Sequence, residues 1–319
     1  MKDEIIGILS LMTAKNTDFH NNNRVLGNND TSGEIPQKRT INVKGKLLDL
    51  STPKVMGILN LTPDSFYDKG RNNGIEQALK RTETMLLEGA EFIDIGAYSS
   101  RPRAEDISPQ EEQDRLLPVL KILVKEFPEA VISIDTFRAS VAKAAINEGA
   151  HIINDISGGE LDKKMFETVA ALEVPYILMH MKGTPQNMQD NIQYDDVFLE
   201  VFQYFAEKIS ALQELGVKDI ILDPGFGFAK KIKHSYELLS VMDQFKLLGL
   251  PILAGVSRKS MIYKPLEITA EEALNGTTVA NTIALMKGAG ILRVHDVKAA
   301  VEAVKIVSLL NQTPKQKSE

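Results

Sequence analysis

From Lys54 onward, short apolar runs and amphipathic stretches take turns along the chain. The runs are KVMGILN ending at Asn60, EFIDIG at Gly96, AVISID at Asp135 and HIIND at Asp155, followed by VPYILMH ending at His180, DIILDP at Pro224, PILAGVS at Ser257 and ILRVH at His295. Such short, nearly unbroken apolar runs are the pattern of strands buried on both faces. Between them, stretches such as IEQALKRTETMLLEG, VAKAAINEG and VFQYFAEKISALQELG carry apolar residues at three- and four-residue spacing, which predicts amphipathic helices. Several close on a glycine just before the next strand, at Gly89, Gly149 and Gly216, as helix ends do. Ahead of the first run, TINVKGKLLDLS (40–51) alternates apolar and polar residues around Lys44-Gly45, a hairpin signal.

About eight βα units follow that hairpin. Parallel strands with helices outside them fit a TIM (β/α)8 barrel spanning residues 39–311, preceded by the hairpin. The rival is an open doubly wound sheet, whose dinucleotide-binding version is weakened because no GxGxxG follows a strand. Residues 1–38 include the Asn-rich NTDFHNNNRVLGNNDTS and are expected to form a flexible extension. Its opening MKDEIIGILSLM is too short to span a bilayer and lacks a signal peptide's basic start and cleavage site. Residues 312–319 are expected to fray. A cytoplasmic protein is the expectation.

Composition narrows the chemistry. The 319 residues contain no cysteine, which excludes disulfides, thiolate nucleophiles and cysteine-based metal sites. The five histidines are scattered and never form HExxH, so a histidine-built zinc site is not expected. A formal net charge of -6 offers no general attraction to nucleic acid or an anionic membrane, so an anionic substrate would need a local basic cluster.

Barrel active sites are built at the C-terminal strand ends, and these ends are polar here. Asp135, Asn154 and Asp223 could bind a flat heterocycle carrying donors and acceptors. Arg258, Lys259, Arg293 and His295 could hold an anion beside it. Asn60 offers an amide oxygen to a hard cation accompanying that anion. A single Asp or Asn at such a place is as readily a cap or turn residue, but that account is poor for the whole set. Asp195-Asp196, Glu111-Glu112 and Glu271-Glu272 read as helix-start acids, His151 and His234 as surface residues, and His180 as a structural hydrogen-bonding group. Lys230, Lys231 and Lys233 read equally as a solvated loop or as an attraction for anions.

In order along the chain, the strand-end segments resemble the dihydropteroate synthase family. The segments are GILNLTPDSF (57–66), DIGAYSSRPRAE (94–105), SIDT (133–136), IND (153–155), MHM (179–181), DPGFGFAK (223–230), SRKS (257–260) and RVHD (293–296). The resemblance covers residues 40–311 and implies a magnesium-dependent transferase of folate biosynthesis, a sulfonamide target and usually a homodimer. It would join a pterin diphosphate to p-aminobenzoate and release pyrophosphate. By motif, Asp135, Asn154, Asp223 and Lys259 would hold the pterin, sandwiched between Met179 and Arg293. Asn60, Arg293 and His295 would meet the pyrophosphate and its magnesium. Ser100, Arg101, Pro102, Phe228 and Ser257 would form the p-aminobenzoate side, with Phe66, Asp68 and Arg101 in closing loops. A corrinoid-linked methyltransferase on a related barrel would not need the Ser-Arg-Pro loop or SRKS, and a non-catalytic homologue would have lost pocket residues.

The chain departs from the family pattern at a few positions. Ala97, Tyr98 and Ser100 stand where glycine, glutamate and threonine are commoner, Arg103 where glycine is usual, and Ala229 in place of the last glycine before Lys230. These changes are expected to shift p-aminobenzoate and sulfonamide affinity.

Overall fold

The computed structural model describes Gly7 and residues 37–61, 71–99, 106–190 and 192–312. Strands β1 (Thr40–Val43) and β2 (Lys46–Asp49) form the antiparallel hairpin. Lys44 and Gly45 both take positive φ at its turn, the conformation that suits a two-residue hairpin loop. Then come β3 (Lys54–Asn60), α1 (Arg71–Leu87), β4 (Phe92–Gly96), α2 (Pro109–Glu126), β5 (Val131–Asp135), α3 (Ala139–Asn147), β6 (Ile152–Asp155) and α4 (Met165–Leu172). The second half runs β7 (Tyr176–Met179), α5 (Val197–Glu214), β8 (Ile220–Asp223), α6 (Ile232–Ser240), a 3-10 segment (Met242–Leu248), β9 (Leu253–Ala254), α7 (Ser260–Tyr263), α8 (Leu274–Met286), β10 (Ile291–Val294) and α9 (Val297–Gln312).

The eight strands from β3 on are parallel, in the order β8-β7-β6-β5-β4-β3-β10-β9. The two ends of that order meet at a parallel bridge between Leu222 and Ile252, where Leu222 N–H donates to the Pro251 carbonyl at 2.9 Å. The ring is therefore closed, and the fold is the expected barrel rather than an open sheet. The helix-end glycines hold as predicted, with φ of 99° at Gly89, 106° at Gly149 and 86° at Gly216. Strand β9 is shorter than its apolar run suggested. Pro251 lacks an N–H for the ladder, and past Ala254 the chain leaves the sheet and turns at Arg258, whose φ is +53°.

The period of two along each strand sorts the side chains. Met56, Phe92, Ile152, Ile177, Ile221, Leu253 and Ile291 share one buried cluster with Ile41, Val43 and Leu50 of the hairpin segment. This is the floor of the barrel interior, plugged from below by the hairpin. The alternate residues, including Val55, Ile93, Ile95, Ile132, Ile134, Leu222 and Leu292, belong to the larger cluster shared with the helices. Burying each such side chain stabilises the fold by roughly 1.5–3 kcal/mol relative to exposure. No described helix is long and apolar enough to cross a membrane.

Candidate functional site

Two residues above the floor, the same inward-facing register puts Asp94, Ser133, Asn154, Met179, Asp223, Gly255 and Arg293 into the interior. Another step of two reaches Asn60, Asp135, Ser257 and His295 at the mouth. The apolar floor thus gives way to a polar layer at the C-terminal end, and buried polar groups at this density must satisfy one another or a ligand.

Arg293 is the hub. Its Nε donates to Asp94 Oδ2 at 2.6 Å and its Nη2 to Asp135 Oδ2 at 2.6 Å. Asn154 Nδ2 donates to the same Asp94 oxygen at 3.0 Å. Asp94 is fully buried, so the guanidinium is pinned from below and its plane is fixed. Burial pushes the Asp135 carboxyl up to about 7, with Arg293 opposing and the Asp94 charge adding to the rise. The other Asp94 oxygen and the Ser133 hydroxyl, neighbours across β4 and β5, are buried with no partner among the described residues.

Across β8 and β9, Gly225 N–H donates to Asp223 Oδ1 at 2.8 Å. Burial raises the Asp223 carboxyl, while Lys259 opposes that rise. Lys259 Nζ donates to the Phe226 carbonyl at 2.5 Å and lies 4.7 Å from the centre of the Phe228 ring. Burial lowers its ammonium to about 8. A side chain at Gly255 would meet Lys259 Nζ at 3.8 Å, Asp223 Oδ2 at 3.9 Å and Arg293 Cβ at 4.0 Å. Met179 packs with Ile156, Met181, Met188 and Ala229, against Phe137 and Phe228.

His295 and Ser257 are a pair. Ser257 Oγ accepts from the His295 backbone N–H at 3.2 Å and lies 3.0 Å from Nδ1. Burial, Arg293 and Arg258 lower the imidazole to about 4, so it is neutral near pH 7. If Nδ1 accepts the Ser257 hydroxyl proton, the ring's own proton sits on Nε2.

Several expectations change. Arg258 is not a free anion ligand: Nε and Nη2 bond both oxygens of Asp296, at 2.9 and 2.7 Å, lashing the β9 and β10 loops together. His151 is not on the surface. It is 8% exposed, and its Nδ1 accepts from Ile132 N–H at 3.0 Å near the barrel's lower end. His234 is half-buried, with its Nδ1 accepting from Lys231 N–H. Glu112 is more than a helix-start acid: it is buried and bonded to Thr136 and Arg138. Lys230 is neither solvated nor aimed at the mouth, being buried against His180. Asp196 does cap α5, accepting from Leu199 N–H at 2.9 Å. Asp94 was legible only as a strand end; counting two residues on from Phe92 would have put it inside, beneath Arg293.

Asn60 ends β3 at the mouth, half-buried. Among the described residues no group of three or more His, Cys, Asp or Glu could hold a metal ion. A magnesium here would have to arrive with an anionic ligand, with the Asn60 amide oxygen as its protein donor. Asp68, Ser100, Arg101, Pro102, Phe66 and Arg103 lie outside the described residues. Tyr98, at the start of that second loop, is buried. Its hydroxyl donates to Asp106 at 3.1 Å and accepts from Gln186 Nε2 at 2.6 Å. Ala229 has a left-handed φ of +49°, which explains why a glycine is commoner there.

A family model for pterin binding enzymes matches residues 56–295. The dihydropteroate synthase of Escherichia coli (strain K12) is 45% identical over 266 residues, 83% of this chain and 94% of that protein. Among solved structures, the Yersinia pestis dihydropteroate synthase in a sulfonamide drug complex superposes with a TM-score of 0.81 at 42% identity, covering 86% of this chain and 100% of that one. The Xanthomonas albilineans dihydropteroate synthase with 4-aminobenzoic acid also gives 0.81, at 37% identity over 86% and 99% of the two chains.

Proposed function

The chain belongs to the dihydropteroate synthase family of pterin-binding enzymes, and we infer that it is the transferase joining 6-hydroxymethyl-7,8-dihydropterin diphosphate to p-aminobenzoate, with release of pyrophosphate. The observation that carries this reading is the polar layer above an apolar barrel floor, with Asp94 and Asp135 fixing Arg293 and Asn154 bonded to the same Asp94 oxygen. The pterin's amino and amide hydrogens suit the Asp223 carboxylate, and Asn154, Asp135 and Lys259 supply the remaining polar edge. The orphaned oxygens of Asp94 and Ser133 suit a ligand that brings donors. By motif, Met179 and the planar Arg293 guanidinium would take the two ring faces.

No protein nucleophile is required. The pterin's exocyclic carbon–oxygen bond breaks as pyrophosphate leaves, and the aromatic amine forms the new carbon–nitrogen bond and loses a proton. Arg293 and His295 stabilise charge gathering on the leaving group. Magnesium, when bound at Asn60 and the pyrophosphate, would neutralise part of the same charge. By motif, Ser100, Arg101, Pro102, Phe228 and Ser257 would hold the amine, and their contribution is orientation. Asp68 and Arg101 are assigned by motif to loop closure.

A homodimer belongs to the same proposal. Val279, Ile283 and Met286 of α8 and Ile306 and Leu310 of α9 are all more than 40% exposed, and exposed apolar side chains on these two helices support a partner surface there. A monomeric mass by light scattering would count against it. A cytoplasmic location is likewise proposed, and cell fractionation tests it. The activity is tested by a coupled pyrophosphate-release assay with magnesium and pterin diphosphate, with and without p-aminobenzoate. Release that requires the amine and disappears in Lys259→Ala is expected. Tight pterin binding without turnover would leave only a binding protein, and no pterin binding would overturn the reading.

A further inference from the structure

Lys230 is a buried ammonium that the reaction described above does not use. It is 3% exposed, and among the described residues no carboxylate lies within ion-pair distance of it. Its three N–H donors are instead spent on three acceptors: His180 Nδ1 at 2.9 Å, the His180 carbonyl at 3.1 Å and the Phe228 carbonyl at 3.1 Å. That saturates an ammonium. Burial pushes it well below the usual lysine range, with Asp223 pulling the other way.

The acceptors define what the side chain joins. His180 directly follows Met179, assigned to the pterin face, and Phe228 is the aromatic assigned to the amine side. The turn between them lies flush on β7: a Cβ on Gly225 would sit 2.1 Å from the His180 carbonyl oxygen and 3.3 Å from Lys230 Nζ. Ala229 holds a left-handed φ of +49° immediately before Lys230. That conformation is unfavourable for alanine and persists only where the surroundings over-determine it. It is the twist that turns Lys230 inward. His180 itself is held edge-on to the Tyr204 ring at 4.8 Å, and the Tyr204 hydroxyl lies 3.3 Å from the Met179 carbonyl. The tripod therefore ties the Phe228 turn to a rigid strand end.

We propose that Lys230 is a positioning residue: its three hydrogen bonds set the Phe228 turn against the end of β7 and so fix the amine's place relative to the pterin. The proposal rests on the synthase reading. Because displacement by a neutral amine depends on orientation more than on acid–base power, loosening the turn should damage amine use before pterin binding. Arg293, the guanidinium assigned to the pterin face, is clamped by two carboxylates of β4 and β5 and does not depend on this turn.

The test compares Lys230→Met and Lys230→Arg with the wild-type chain. KM for p-aminobenzoate and kcat come from pyrophosphate release, and Kd for the pterin diphosphate from calorimetry in the presence of magnesium. In Lys230→Met the amine KM should rise at least about tenfold, with the pterin Kd within about threefold of wild type. Lys230→Arg keeps the charge but cannot reproduce the compact tripod. It should show the same split more mildly, and it decides the question alone if the methionine variant does not fold. A purely structural role would lower the melting temperature and leave the ratio of amine KM to pterin Kd unchanged. That result, or equal loss of both substrates, overturns the proposal. Absence of amine-dependent release from the wild-type chain would overturn the synthase reading and this one with it.

Discussion

Replacing Asp94 with asparagine is the sharpest test of the site's construction. The carboxylate is fully buried and one of its oxygens accepts from both Arg293 Nε and Asn154 Nδ2, at 2.6 and 3.0 Å. The amide preserves volume and one acceptor, but removes a charge and places an NH2 group where the orphaned Asp94 oxygen now lies. Breaking one side of a buried ion pair costs about 3–5 kcal/mol. Asp135 still holds the other end of the guanidinium at 2.6 Å, so the lower end, about 3 kcal/mol, is the relevant figure. If that loss falls on Arg293 in the transition state, kcat/KM drops about 150-fold. The second readout is pH. Asp135 sits at about 7 because of burial, opposed by Arg293 and assisted by the Asp94 charge. Without that charge its carboxyl should ionise at lower pH, shifting the acid limb of pterin binding downward. The assay is pyrophosphate release across pH, with calorimetric pterin affinity at each point. Activity within threefold of wild type, or an acid limb that stays or moves upward, would refute the claim that Asp94 positions Arg293.

Two further outcomes follow from the lower half of the barrel. Ile41 is fully buried in the floor cluster, so Ile41→Ala should cost about 2–5 kcal/mol in chemical denaturation while kcat at low temperature stays near wild type. A matching loss of activity in the folded variant would mean that the floor also shapes the site. His151 is lowered to about 4 by burial and Lys44, so between that value and the ordinary 6.5 the unfolded chain binds the extra proton and stability falls as pH drops. The slope from this one group is at most about 1.4 kcal/mol per pH unit. His151→Gln should flatten the denaturation midpoint against pH by that component. Buried carboxyls raised in the fold, such as Asp135 and Asp223, push the total the opposite way, so the comparison with wild type is the decisive quantity. An unchanged difference curve would show that His151 is not buried in its neutral form.

The alternation of apolar runs with amphipathic stretches determined a parallel sheet covered by helices, because burial on both faces leaves a parallel strand almost no polar positions, while the bridge between Leu222 and Ile252 decided for a closed barrel over an open sheet. The hairpin was equally legible, since Lys44-Gly45 at a two-residue turn is local chemistry. The order of polar residues at the strand ends, with the motifs they carry, determined where the site lies and which family it serves. Partnership was not legible. Asp94 and Arg293 stand 199 residues apart, and only closure of the ring brings β4 and β10 to the two sides of β3. The direct pairing of β9 with β10 gave Arg258 to Asp296 and took it away from any anion. Packing of β6 beside β5 also buried His151, which local polarity suggested would face water. Lys230 shows the limit most clearly. A lysine in a glycine-rich loop reads as solvated, and a left-handed turn at Ala229 together with three acceptors from distant segments is what turns it inward. Periodicity fixes which face a residue occupies, whereas contacts between strands depend on the shear and closure of the whole ring.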